Sequence, residues 1–190
     1  MKVSCEGLAL DNVFKFKYLG TLFAADADQA YDIEARIAMA MTRCGQLKHV
    51  FNSGTLNLKL KLRLYQASIC SLMTYGCETW DLTTAAQRRL NNANSLMLAR
   101  FTGQSIPQEA RPATTSFNLV RHIRVRRLKW VGQILRKGPG TYQFSALKAQ
   151  RQMNKKGNML MDAPQHDDVE DLIPLAMNKT TWMALTKDIP

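Results

Sequence analysis

Apolar positions along this chain recur first with a period of two and then with a period near 3.6. The first pattern occupies the opening residues. Runs from Met1 to Leu10 and from Val13 to Phe23 flank Asp11-Asn12, a pair suited to a tight turn, and predict a β-hairpin over residues 1–25. In its second strand Phe14, Phe16, Tyr18 and Leu22 tend to one face, with Lys15 and Lys17 on the other. A lone hairpin is marginal in water, so this one needs a sheet or helices to rest on.

Helical periodicity then takes over. Asp26 or Asp28 caps a first helix whose stripe is Ile33, Ile37, Ala40, Cys44, Leu47 and Phe51, and Asn52-Ser-Gly54 stops it. The next stretch alternates Leu56, Leu58, Leu60, Leu62 and Leu64, which by itself reads as a strand. Followed to Met73, it places Leu58, Leu62, Tyr65, Ile69, Leu72 and Met73 on one helical face and Leu60, Leu64 and Ala67 on a second, which predicts a central helix buried on two sides. Thr83 or Thr84 opens a third helix striped by Ala86, Leu90, Ala93, Met97 and Phe101, ending near Gly103 before a loop with two prolines over 105–112. A fourth runs from about Ser116 to Lys137 and stops at Gly138-Pro-Gly140. Beyond it, 145–155 is expected to be helical, and 167–176 and 181–187 to form two short pieces broken at Pro174. The fold class is therefore mainly α: a helical bundle over 26–140, an N-terminal β-hairpin over 1–25, and a loosely attached C-terminal tail over 141–190.

Length and composition change this picture little. A chain of 190 residues with 46% hydrophobic content can bury a core, and no run of 18 apolar residues predicts a membrane span. The opening Met1-Lys-Val-Ser-Cys-Glu lacks the apolar core of a secretory signal, so an intracellular setting is expected. Cys5, Cys44, Cys70 and Cys77, with His49, His122 and His166, offer no zinc-finger spacing and are expected to be reduced and mostly buried thiols.

Charge changes it more. The net charge is +11, but residues 82–160 alone hold fifteen Lys/Arg against the single acid Glu109, while residues 161–190 hold two against six acids. A basic block followed by an acidic end reads as a polyanion-binding surface with a separate solvated tail. The fourth helix concentrates the basic block: Arg121, Arg124, Arg126, Arg127, Lys129, Arg136 and Lys137, without an acid. Val120, Ile123, Leu128, Val131, Ile134 and Leu135 form its apolar arc, with Trp130 at the edge as a core anchor. Arg121, Arg126, Lys129 and Arg136 project opposite as a ridge that can follow a phosphate backbone. Arg124 and Arg127 fall on the apolar arc. Either their stems pass alongside the core, or the helix starts later. Lys59, Lys61 and Arg63 either extend the ridge or form a solvated corner of the central helix. Carboxylates are weak candidates for chemistry: Asp26 and Asp28 suit a helix start, and Asp162, His166, Asp167 and Asp168 suit a solvated tail.

Five blocks carry a resemblance to a known family. Phe16-Lys-Tyr-Leu-Gly20, Lys61-Leu-Arg-Leu-Tyr65, Leu72-Met-Thr-Tyr-Gly-Cys-Glu-Thr-Trp80 and Arg127-Leu-Lys-Trp130 resemble, in order and spacing, the end of a non-LTR (LINE-type) retrotransposon reverse transcriptase, from roughly Phe14 to Lys137. Ala176-Met-Asn-Lys-Thr-Thr-Trp182 looks like the closing segment of such polyproteins. The resemblance implies the last palm strands and the thumb, with the catalytic palm and its Mg2+ upstream of residue 1 and no cofactor in this chain. It implies a grip on primer–template duplex, RNA–DNA hybrid or DNA, with Lys17 in the hairpin and the arginine-rich helix in contact. A palm domain in another chain, or self-association through a face left open, would supply the partner, and a mobile-element protein of this kind would work in the nucleus. No catalysis is expected of the chain alone. The alternative is a protein-interaction module or a degenerate remnant.

Overall fold

The computed structural model describes residues 3–5, 8–102, 118–153, 159–164 and 168–189. The chain is mainly helical, with antiparallel strand pairs at its N-terminus. These are two hairpins rather than one: β1 (Val3–Cys5) pairs with β2 (Leu8–Leu10), and β3 (Lys15–Tyr18) pairs with β4 (Thr21–Ala24). Asp11-Asn12 therefore links two hairpins, and the turn that matters is Leu19-Gly20. Both of its residues are left-handed, at φ 48° and 87°, the backbone a two-residue hairpin turn requires. The turn shifts the register of the second strand. Phe16 lies opposite Phe23 and Lys17 opposite Leu22, so Leu22 shares the lysine face and not the aromatic one.

Helix α1 (Ala30–Gln46) buries Ile33, Ile37, Ala40 and Cys44 as the stripe predicts, and α2 (Lys48–Phe51) buries Phe51. The central helix is α3 (Leu58–Tyr65), capped by the Asn57 side chain, which accepts from Leu60 N at 2.8 Å. It continues through one π-helical turn (Gln66–Cys70) into α4 (Ser71–Met73). Tyr65, Ile69, Cys70 and Met73 are buried, but the expected second buried face is not: Leu60 is 42% exposed and Ala67 is exposed. A short 3-10 turn (Cys77–Thr79) leads to α5 (Thr84–Thr102), where Leu90, Met97 and Phe101 complete the first core against α1 and α3. Phe101 stacks on Phe51 and Tyr65, and the Tyr65 hydroxyl donates to the Asn94 side chain at 2.8 Å. The proline-bearing loop over 105–112 lies outside the described residues.

Helix α6 (Leu119–Lys137) starts later than predicted, with Asn118 as its cap, and ends at Gly138 (φ 77°). Its N-terminal apolar residues join the first core, and its C-terminal half founds a second one. The segment expected to be a loose tail builds that second core. α7 (Tyr142–Met153), the 3-10 turn Met159–Asp162, α8 (Leu172–Met177) and α9 (Lys179–Leu185) bury Phe144, Leu147, Leu160, Val169, Leu172, Ala176 and Trp182 against Leu128, Val131, Ile134 and Leu135. The reason it is held is apolar area, since burying side chains of this size stabilises by about 1.5–3 kcal/mol each. Pro174 does not break α8, because in the first turn of a helix its missing N–H needs no partner. The break falls at Asn178, whose side chain accepts from Thr181 N and starts α9.

Candidate nucleic-acid interface

Three segments distant in sequence meet through a set of polar ties. The Leu19-Gly20 turn is held from two sides: an Arg36 guanidinium N–H donates to the Gly20 carbonyl at 2.5 Å, and the Tyr75 hydroxyl donates to the Leu19 carbonyl at 3.1 Å. The same guanidinium lies over the Tyr75 ring, 4.5 Å from its centroid. Behind the turn, the Asp32 carboxylate accepts from Leu22 N at 3.0 Å and from the Trp80 indole N–H at 3.1 Å, and faces Arg36 at 3.6 Å. Gly76, at φ 73°, lets the chain turn beside Thr21. The second hairpin is thus fixed on α1 and on the 72–80 block, with β3 exposed and β4 half-buried apart from Phe23.

The 72–80 block is fixed in turn on α6. Arg126 donates through Nε to the Glu78 carboxylate at 2.9 Å, and through another nitrogen to the Thr74 carbonyl and hydroxyl, each at 3.0 Å. His122, one helical turn earlier, has its pKa pushed below the ordinary value, first by burial and then by the charges of Arg126 and Lys129. Hairpin, block and helix therefore present one neighbourhood in which Lys17, Tyr18, Tyr75 and Lys129 are exposed and Arg126 is partly so.

The predicted cations divide into four groups. Lys17, Lys129 and Lys137 are exposed and carry no carboxylate partner among the described residues. Arg121, Arg126 and Arg136 are tied to the protein, but not all are neutralised. Arg121 donates to the carbonyls of Ile189 and Lys187 at 2.9 and 3.1 Å, and Arg136 to that of Ala176 at 3.0 Å. A guanidinium on carbonyls keeps its full positive charge, so these two still contribute to the field of α6.

Arg124 and Arg127 are corrections. Both guanidinium groups turn inward to Asp162, at 3.6 and 3.3 Å, and no part of the Arg127 side chain reaches solvent. Burial lowers the Arg127 pKa and raises that of Asp162 against the pull of the pair itself. A group so placed ties the C-terminal segment to α6 and cannot touch a phosphate on the outside.

Lys59, Lys61 and Arg63 form the fourth group, on α3. Arg124 reaches Gln87 near the start of α5, whereas Tyr65 meets Asn94 and Phe101 toward its end. At 1.5 Å per residue these anchors lie about 10–20 Å apart along α5. The start of α6 and the end of α3 thus meet different stretches of α5.

The carboxylates find structural employment. Neither Asp26 nor Asp28 caps α1, whose N-cap is Gln29 without a side-chain cap bond; Asp26 Oδ1 accepts from Asp28 N and Asp28 Oδ1 from Ala30 N, two turns that lead the chain into the helix. Asp168 faces Lys148 while Asp162 faces Arg127; His166 and Asp167 lie outside the described residues. Among the described residues no group of three or more His, Cys, Asp or Glu gathers as a metal site would need, and no helix is long and apolar enough to cross a membrane. Cys44, Cys70 and Cys77 are buried free thiols.

Asp32, Arg36 and Tyr75 escape the sequence reading. The first two left a signal, a carboxylate and a guanidinium at i and i+4 inside the buried stripe of α1, where unpaired charge would be costly.

The chain is 22% identical over 142 residues to an uncharacterized transposon-derived protein of Caenorhabditis elegans, an alignment covering 70% of this chain and 50% of that protein. This chain therefore spans about half the length of that relative, and the likeness points to a transposable-element origin. No family model matches the chain, and no solved structure matches it.

Proposed function

We propose that the chain is the thumb-like end of a non-LTR retrotransposon reverse transcriptase, which grips a primer–template duplex, RNA–DNA hybrid or DNA, through phosphate contacts and performs no chemistry itself. The observation that carries this reading is the joining of the second hairpin to α6 through the 72–80 block, which puts Lys17 and Lys129 on elements tied together by Tyr75 and Arg126. The sequence blocks that carry the resemblance are also the ties of the fold: Leu19 and Gly20, Tyr65, Thr74 to Trp80, Arg127, and Trp182. A shared framework of this kind is what descent from a polymerase domain would retain. Charge supports the reading as well, since α6 holds seven cations and no acid of its own, with Glu78 and Asp162 facing three of the seven. Polymerisation would require a palm with its Mg2+, in another chain or elsewhere in a longer polypeptide, and the nucleus would be the place of work.

Fluorescence anisotropy on labelled RNA–DNA hybrid, DNA duplex and single strands at fixed salt tests this. Tighter binding to the two duplexes than to single strands is expected. Equal or absent binding by folded, monodisperse protein overturns it.

A second reading, a self-association module, is favoured by one feature: Phe14, Phe16, Tyr18 and Phe23 of the second hairpin are each more than half exposed. Sedimentation velocity separates the two, because a duplex-binding monomer gives one concentration-independent species.

A further inference from the structure

We infer that the outer face of α3 is a docking site for an acidic amphipathic helix of a partner protein. The pattern of α3 is that of a helix covered on both sides; among the described residues the inner side is covered toward its C-terminal end, with Leu58 at the start 49% exposed, and the outer side is open. Tyr65 is fully buried on the inner face, while Leu60 is 42% exposed, Leu64 half-buried and Ala67 exposed on the opposite one. These three fall within one narrow strip about two turns long at 3.6 residues per turn. Lys59 and Arg63 line one edge of the strip and Lys61 the other, and none of them pairs with a carboxylate among the described residues. The surroundings are equally one-sided in charge. No acid occurs between Glu34 and Glu78 or within α5, the helix against which α3 packs.

This combination selects the occupant. A phosphate backbone satisfies the cations but gives the leucines no apolar surface to pack on. A second copy of this chain meeting it through the same face would bring three more cations to the strip. A helix with leucine-like residues at i, i+3, i+4 and i+7, flanked by Glu or Asp, satisfies both chemistries at once: apolar knobs on the strip, carboxylates on its edges.

The probe is a fluorescein-labelled peptide of about 15 residues with that leucine repeat flanked by glutamates, titrated with the full chain by anisotropy. Two control peptides accompany it, one of scrambled order and one with lysine in place of every glutamate. Saturable binding of the first peptide alone is expected. Leu60→Ser with Leu64→Ser should weaken it by about tenfold, as should Lys59→Glu with Arg63→Glu, the common size of a missing interface anchor or charge pair. The second pair concerns exposed residues only, so it keeps the test alive if the leucine variant melts early by circular dichroism. Binding of all three peptides alike, no saturation by any, or unchanged affinity in both double variants overturns the proposal. So does co-sedimentation with phosphatidylserine vesicles without peptide binding, which would make the strip a lipid-facing one.

Discussion

The indole of Trp182 lies against the backbone of Gly132, so close that a Cβ on Gly132 would sit 2.2 Å from Nε1. Trp182 is buried, and its N–H donates to the Leu128 carbonyl at 2.9 Å, so the ring has no free direction in which to retreat. Gly132 is glycine because α9 needs that approach to α6. Gly132→Ala should destabilise the chain by about 2 kcal/mol through overpacking, and Trp182→Ala by roughly 3–5 kcal/mol through the cavity it leaves. Urea titration followed by far-UV circular dichroism measures both. Two changes of under about 0.5 kcal/mol, the size expected of a neutral surface site, would mean that the C-terminal segment does not close the second core.

The Asp162 carboxylate faces, at 3.3 Å, an arginine that cannot reach water. Asp162→Asn should cost about 3 kcal/mol, because it takes from the buried Arg127 guanidinium the carboxylate charge that faces it at 3.3 Å. Arg127→Met together with Asp162→Leu should cost less than Asp162→Asn alone, since both desolvation penalties disappear together. A double-mutant cycle checks this, and additive single effects would remove the ion pair from the account.

Asp32 holds the second hairpin down. Asp32→Ala strands the Trp80 indole N–H, the Arg36 guanidinium and the Leu22 amide at once. A destabilisation of about 3 kcal/mol is expected, with the β3–β4 amides exchanging much faster than those of α5. Hydrogen exchange by mass spectrometry reads the difference, and uniform acceleration along the chain would show that Asp32 serves the whole core instead.

His122 reports on the proposed interface. Its folded pKa lies below the ordinary 6.5, so the unfolded chain takes up the proton first as pH falls. The stability due to neutral His122 is therefore complete above about pH 6.5 and is lost as pH drops through the lower folded value. Phosphates placed near Arg126 and Lys129 would favour the imidazolium and raise that pKa. Titration of the His122 ring protons by NMR, with and without RNA–DNA hybrid, should show the rise. An unchanged value with bound hybrid would put the duplex elsewhere.

Much of the fold is legible in the chain itself. The stripes of α1, α5 and α6 give those helices because a single buried face leaves a clean 3.6 period. The turn at Leu19-Gly20 is obscured by Asp11-Asn12, a stronger turn pair by composition, and only pairing with α1 through Asp32 and Arg36 decides between them. The inward course of Arg124 and Arg127 depends on Asp162, an acid 35 residues beyond Arg127, and local periodicity carries no information about such a partner. For the same reason a tail rich in acids looks solvated, although Trp182, Leu172 and Phe144 supply enough apolar surface to hold it. The open face of α3 is the reverse case, where the pattern predicts a cover that the described residues do not provide.

If the proposed function holds, Lys17 and Lys129 belong to one duplex-binding face. The direct test is the salt dependence of RNA–DNA primer–template binding, from about 50 to 300 mM, for the wild-type chain and for Lys17→Glu with Lys129→Glu. The wild type should show a steep negative slope of log affinity against log salt. The variant, folded as judged by circular dichroism, should bind far more weakly with a slope shallower by about 2, near 0.9 for each phosphate no longer neutralised. A flat wild-type slope, or identical slopes for the two proteins, would contradict the account.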